Sequence, residues 1–79
     1  MSSDTLLELI ASVMEVDVSQ VDEESNYESL EKWDSMRQIM LASVLESEYG
    51  FTLGADEMLH LQSVASIRAI LRAHGIPQA

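Results

Sequence analysis

The sequence predicts an all-α fold: a small four-helix bundle of three longer helices and one short third helix, with a long loop between helices one and two. Three observations lead there. Apolar residues recur every three or four positions in three separate stretches, and capping residues stand where each stretch begins. No segment alternates apolar and polar residues between turn signals, as a half-buried strand would. A chain of 79 residues has room for one core, so residues 1–79 are expected to form a single domain.

Helix one is expected over about residues 4–15, because Leu6, Leu7, Ile10, Val13 and Met14 share a helical face. Ser3, Asp4 or Thr5 can cap it, and Thr5 and Glu8 have the spacing of a capping box. Residues 16–34 lose the period and read as a structured loop. Val18, Val21, Tyr27, Leu30 and Trp33 are its apolar anchors among many carboxylates, and a connection of this length in a small domain is often functional.

Helix two is expected over residues 35–49. Ser35 and Gln38 form a Ser-x-x-Gln capping box, Met36, Ile39, Ala42, Leu45 and Tyr49 repeat at helical spacing, and Gly50 is the C-cap. Met36, Met40 and Met58 fit a core at this spacing. After the link Phe51-Thr52-Leu53-Gly54, Asp56 is placed to cap a short turn of helix through His60. Ser63 opens the last helix, which carries Val64, Ile67, Ile70 and Leu71 and stops at Gly75 and Pro77.

Fourteen acidic residues against four Lys plus Arg give a formal charge of −10, which repels nucleic acid and anionic lipid. The expected protein is cytoplasmic and monomeric: the first residues carry no basic leader, and no apolar run approaches the roughly 18 residues of a membrane span. Cysteine is absent, so thiolate ligands, cysteine nucleophiles and disulfides are too, and any thiol chemistry needs a thiol from outside.

Other chemistries fail on spacing. Asp22, Glu24 and Asn26 begin like a calcium loop, but Tyr27 stands where the sharp turn needs glycine and Trp33 where the last ligand needs glutamate. His60 and His74 are fourteen positions apart with no partner ligand, so no metal site is expected. Asp34, Ser35 and a histidine lack the glycine-rich elbow and oxyanion loop of a hydrolase, and three glycines do not make a phosphate-cradling loop. No catalytic residue is assigned. What remains is a serine at a helix start, where free N–H groups and the helix dipole suit a phosphate.

Trp33-Asp34-Ser35-Met36 resembles the attachment motif of the acyl carrier and peptidyl carrier family, a serine in Asp-Ser-Leu at the start of the second of four helices. The resemblance spans the chain, from the first helix through Val21 and Tyr27 in the loop to the acidic, aromatic end of helix two at Leu45-Glu46-Ser47-Glu48-Tyr49-Gly50-Phe51. It implies that a phosphopantetheinyl transferase moves 4′-phosphopantetheine from coenzyme A onto Ser35 as a phosphodiester. The arm then carries an acyl or aminoacyl group as a thioester from a loading enzyme to a downstream acyltransferase, synthase or condensing enzyme. Asp34, Met36, Arg37, Met40, Glu46 and Glu48 are the residues expected to meet those partners. Arg37 is placed to pair with the phosphate or with Asp34.

Arg37, Gln38 and Met40 replace the acids that bacterial fatty-acid carriers show after the serine, so the expectation is a specialised pathway such as polyketide, nonribosomal peptide or modified-sugar assembly. The alternative from another class is an unmodified acidic helical module that binds a partner protein, with Ser35 only a cap.

Overall fold

The structure, a computed structural model, describes residues 5–76. Its elements are α1 (Thr5–Met14), α2 (Ser35–Tyr49), α3 (Ala55–Leu59) and α4 (Val64–Ala73), with one turn of 3₁₀ helix at Val18–Gln20 and no strand among the described residues. This is the expected small helical bundle. Leu6, Ile10 and Met14 of α1, Leu41 and Leu45 of α2, Leu61 before α4, and Val64, Ile67 and Leu71 of α4 are fully buried together. Burying each such side chain contributes about 1.5–3 kcal/mol, which makes this cluster the main source of stability.

Each helix begins and ends for a local reason. The cap candidates Ser3 and Asp4 lie outside the described residues, so α1 is described from Thr5 onward. It closes at Glu15, whose φ of 59° is left-handed, with Val16 N–H donating to Ala11 C=O at 3.0 Å. The N-cap of α2 is Asp34, not Ser35: Asp34 Oδ1 accepts from Arg37 N–H at 2.9 Å, and Ser35 is the first helical residue. A carboxylate adds charge to the interaction with the helix dipole, which a hydroxyl does not. The Ser35–Gln38 capping box therefore does not form. Gly50, at φ 69°, ends α2 as expected.

Gly54 rather than Asp56 precedes α3, and Glu57 Oε1 accepts from Gly54 N–H at 3.0 Å. Ser63 Oγ caps α4 by accepting from Ser66 N–H at 3.0 Å, and Gly75, at φ 76°, follows the last turn. Pro77 lies outside the described residues.

The long loop is pinned from end to end. Trp33 is buried and its indole N–H donates to Leu61 C=O at 3.1 Å, while Val21 is buried at the other end. In between, Tyr27 N–H donates to Gln62 C=O and Val64 N–H to Ser25 C=O, both at 3.0 Å, so the loop is stitched to the start of α4. Arg68, buried in α4, reaches back to Glu23 with Nε donating to Oε1 at 2.7 Å. Two expected anchors do not hold through their side chains: Val18 and Tyr27 are exposed, and Tyr27 is fixed by its backbone instead. Met36 and Met40 also leave the expected core, because Leu41, Ala42 and Leu45 form the buried face of α2 and turn both methionines outward.

Candidate functional site

Ser35 sits at the first position of α2 with its side chain exposed, and its hydroxyl makes no hydrogen bond among the described residues. The helix leaves its first N–H groups without partners inside the helix. Asp34 takes two of the next ones, Arg37 N–H through its carboxylate and Gln38 N–H through its carbonyl. Those of Ser35 and Met36 remain open around the hydroxyl. An anion joined to Ser35 Oγ would meet these donors and the positive end of the dipole, offset in part by the Asp34 carboxylate beside it.

A groove of about 350 Å³ opens next to the serine, between α2 and α3. Ser35, Gln38 and Ile39 line one side and Ala55, Met58 and Leu59 the other. Gln38 spans it, with Nε2 donating to Met58 C=O at 3.0 Å. Ile39 and Leu59 of its lining are 62% and 68% exposed, and Met36 and Met40 of α2 are 73% and 47% exposed, although all four are apolar. On a helix, positions 36, 39 and 40 are neighbours, so α2 presents one continuous apolar patch beside the serine. Such a group of exposed apolar side chains is a candidate contact surface.

The other expected site residues divide. Met36 and Met40 are in the patch. Arg37 is not available to a group on Ser35, since its guanidinium turns to the end of α1, Nη1 donating to Val13 C=O at 2.7 Å with Nη2 3.6 Å from Glu15 Oε1. Neither expected partner, phosphate site nor Asp34 carboxylate, receives it. Glu46 is half-buried and Oε2 accepts from Leu53 N–H at 2.7 Å, which fixes the link into α3. Glu48 is exposed, but thirteen residues of helix put it about 20 Å from Ser35. Ile39 and Leu59 are the site residues that spacing alone missed. The sequence places Ile39 only in the apolar repeat of helix two and Leu59 only in the short third helix.

Neither histidine is joined to Ser35. His60 Nδ1 lies 2.7 Å from Asp56 C=O, and His74 Nε2 lies 2.8 Å from Glu57 Oε2. The Gly54 N–H, and after it His74, hold the Glu57 carboxyl below the usual glutamate range. In the loop, Asp22 Oδ1 accepts from Glu24 N–H and from Ser25 Oγ–H, while Asn26 Oδ1 accepts from Glu28 N–H, so these side chains build turns.

The sequence profile of the phosphopantetheine attachment site matches residues 4–71. The chain belongs to that family. No curated protein matches the chain. Domains of this family hold 4′-phosphopantetheine covalently and act as carriers that transferases and synthetic enzymes work on, not as catalysts themselves. A carrier, rather than an unmodified interaction module, is thus the function class. An exposed hydroxyl without a protein partner, at a helix start and beside an apolar groove, fits a phosphodiester-linked arm. Among the described residues no helix is long and apolar enough to cross a membrane.

Proposed function

We propose that Ser35 is the attachment residue and that the chain is a single, monomeric carrier domain serving a specialised biosynthetic pathway. One observation carries the first part: the unpartnered, exposed Ser35 hydroxyl at the start of α2, within the stretch that the family profile covers. Modification joins Ser35 Oγ to the phosphorus of the 4′-phosphopantetheine half of coenzyme A. The bond to the leaving adenosine phosphate breaks, and the hydroxyl proton passes to a base of the transferase. Among the described residues both histidines are engaged away from Ser35 and Asp34 is a cap, so the base is assigned to the transferase. Once attached, the arm supplies a terminal thiol that carries an acyl or aminoacyl group as a thioester.

The patch beside Ser35 supports a partner set unlike that of an acid-reading fatty-acid synthase. The first turn of α2 holds no acidic residue and exposes Met36, Ile39 and Met40, so the transferase, loading enzyme and downstream acyltransferase, synthase or condensing enzyme are read as meeting this face with apolar surface. Arg37 and Glu46 serve the fold. The apolar groove between α2 and α3 offers the near part of the cargo a dry wall.

The test is intact-mass measurement of the purified chain after incubation with coenzyme A, magnesium and a broad-specificity phosphopantetheinyl transferase. A gain of one phosphopantetheine in the parent, absent in Ser35→Ala, is expected. An unchanged parent, or a gain that survives in Ser35→Ala, would overturn the assignment.

A further inference from the structure

The start of α2 is held by polar ties. Residues 35–40 include no buried side chain, and the first buried residue of the helix is Leu41. On the other flank Trp33 is buried. Ser35 thus stands on a span between two fixed posts, Trp33 and Leu41. A helix end that packs against little frays, so the direction of this turn, and of the hydroxyl on it, depends on what else holds it.

Arg37 supplies the tie to α1. Its side chain is 24% exposed and reaches the last turn of α1, where Nη1 donates to Val13 C=O at 2.7 Å. That carbonyl is among the last of its helix, which have no acceptor role inside it and lie at the negative end of the dipole, so a guanidinium suits it on both counts. Nη2 lies 3.6 Å from Glu15 Oε1, and Lys32, on the other side of the serine, reaches the same oxygen at 3.9 Å. Gln38 pulls the opposite way, its Nε2 donating to Met58 C=O of α3 at 3.0 Å. Two consecutive side chains therefore brace the turn, Arg37 against α1 and Gln38 against α3.

We propose that Arg37 is a positioning residue for the modification of Ser35: by tying the first turn of α2 to the end of α1, it fixes the direction in which the hydroxyl meets the transferase. The inference rests on Ser35 being the attachment residue. Attack of Ser35 Oγ on the phosphorus of coenzyme A needs the two atoms held about 3–3.5 Å apart and in line, and a displacement of about 1 Å can slow such a step by up to about a hundredfold. A turn freed from α1 presents the hydroxyl over a range of directions, of which few are productive. Met40, next to the buried Leu41, and Leu59 on α3 stay on the surface with or without the tie. Arg37 therefore serves the chemical step more than the docking of the transferase, and its guanidinium, turned to Val13, touches neither the serine nor the incoming phosphate site.

The test is the rate of phosphopantetheine transfer from coenzyme A, followed by intact mass over a range of carrier concentrations, on the full chain and three variants. Arg37→Met keeps the covering stem and removes the donor, Arg37→Lys keeps a charged donor, and Arg72→Met removes a positive charge from the exposed last turn of α4. In Arg37→Met, kcat is expected to fall about tenfold with KM for the carrier within about twofold of the parent. Arg37→Lys should recover most of the loss, and Arg72→Met should match the parent. Amide exchange should show the same locality: the Gln38 N–H, bonded to Asp34 C=O at 2.9 Å, loses protection in Arg37→Met while the His74 N–H at the end of α4 keeps it. A parental kcat in Arg37→Met, a loss confined to KM, an equal loss in Arg72→Met, or protection lost equally at His74 would overturn the positioning role. A parent that takes up no phosphopantetheine strikes the attachment reading and this role together, whereas a modified parent with an unaffected Arg37→Met strikes the role alone.

Discussion

Arg37 Nη1 donates to the carbonyl of Val13 at 2.7 Å, so the residue two places after the candidate attachment serine joins the end of α1 to the start of α2. The Arg37 N–H in turn donates to the Asp34 carboxylate. Asp34 and Arg37 are thus engaged in holding the helix start, and Ser35 is left free. Arg37→Ala should cost about 1–2 kcal/mol in urea unfolding, since a charge-assisted bond to a helix-end carbonyl is lost from a partly exposed site. Ser35→Ala should stay within about 0.5 kcal/mol of the parent, because nothing holds the hydroxyl. An equal loss in the two variants would contradict this division of roles.

Asp34 acts as a cap. Asp34→Ala should lower stability by about 1 kcal/mol and Asp34→Asn should recover most of it, since both Asp and Asn accept from the third N–H of a helix. The unfolding midpoints of the three chains decide this, and an Asn variant as weak as the Ala variant would show that the charge, not the acceptor, matters.

Met36 and Met40 are exposed, so their removal should be felt by a partner and not by the fold. The double variant Met36→Gln, Met40→Gln should unfold within about 0.5 kcal/mol of the parent. Its rate of phosphopantetheine transfer should fall about tenfold, the usual consequence of losing apolar anchors from an interface. Transfer at the parent's rate would remove these residues from the contact surface.

Acid should weaken the chain through Asp17 and Glu57. The N–H of Ser19 holds the Asp17 carboxyl low, and the N–H of Gly54 followed by His74 holds Glu57 low. A carboxyl depressed on folding contributes stability that is fully present above its unfolded value and is lost as pH falls through its folded one. The thermal midpoint should therefore drop as pH falls below about 4, and Glu57→Gln should drop less steeply because one of the two groups no longer titrates. Parallel profiles for the two chains would argue against the Glu57 part.

Much of the fold was legible because its signals are short-range. Gly50, Ser63 and Gly75 mark helix ends by backbone chemistry, and α2 runs over the expected 35–49. The apolar spacing of Leu6, Ile10, Val13 and Met14 names the buried face of α1 correctly. In α2 the same spacing is right for Ala42, Leu45 and Tyr49 and wrong for Met36 and Ile39, because apolar residues such as Met40 and Leu41 also stand off that stripe and no single face is marked out. The burial of Leu41 and the exposure of Met36 follow from where α1 packs on α2, which is long-range information. The cap moved by one residue because Asp34 and Ser35 are both good caps and only geometry chooses. Arg37 could not be placed from spacing either, since a side chain that long reaches Val13, 24 positions away.

The central claim rests on Ser35 and is tested most directly by locating the group within the chain. After transfer from coenzyme A, proteolysis and tandem mass spectrometry should place one phosphopantetheine on the peptide containing Ser35, with fragment ions that bracket that residue. A bracketed modification on another serine, such as Ser25, Ser29 or Ser63, would contradict the account.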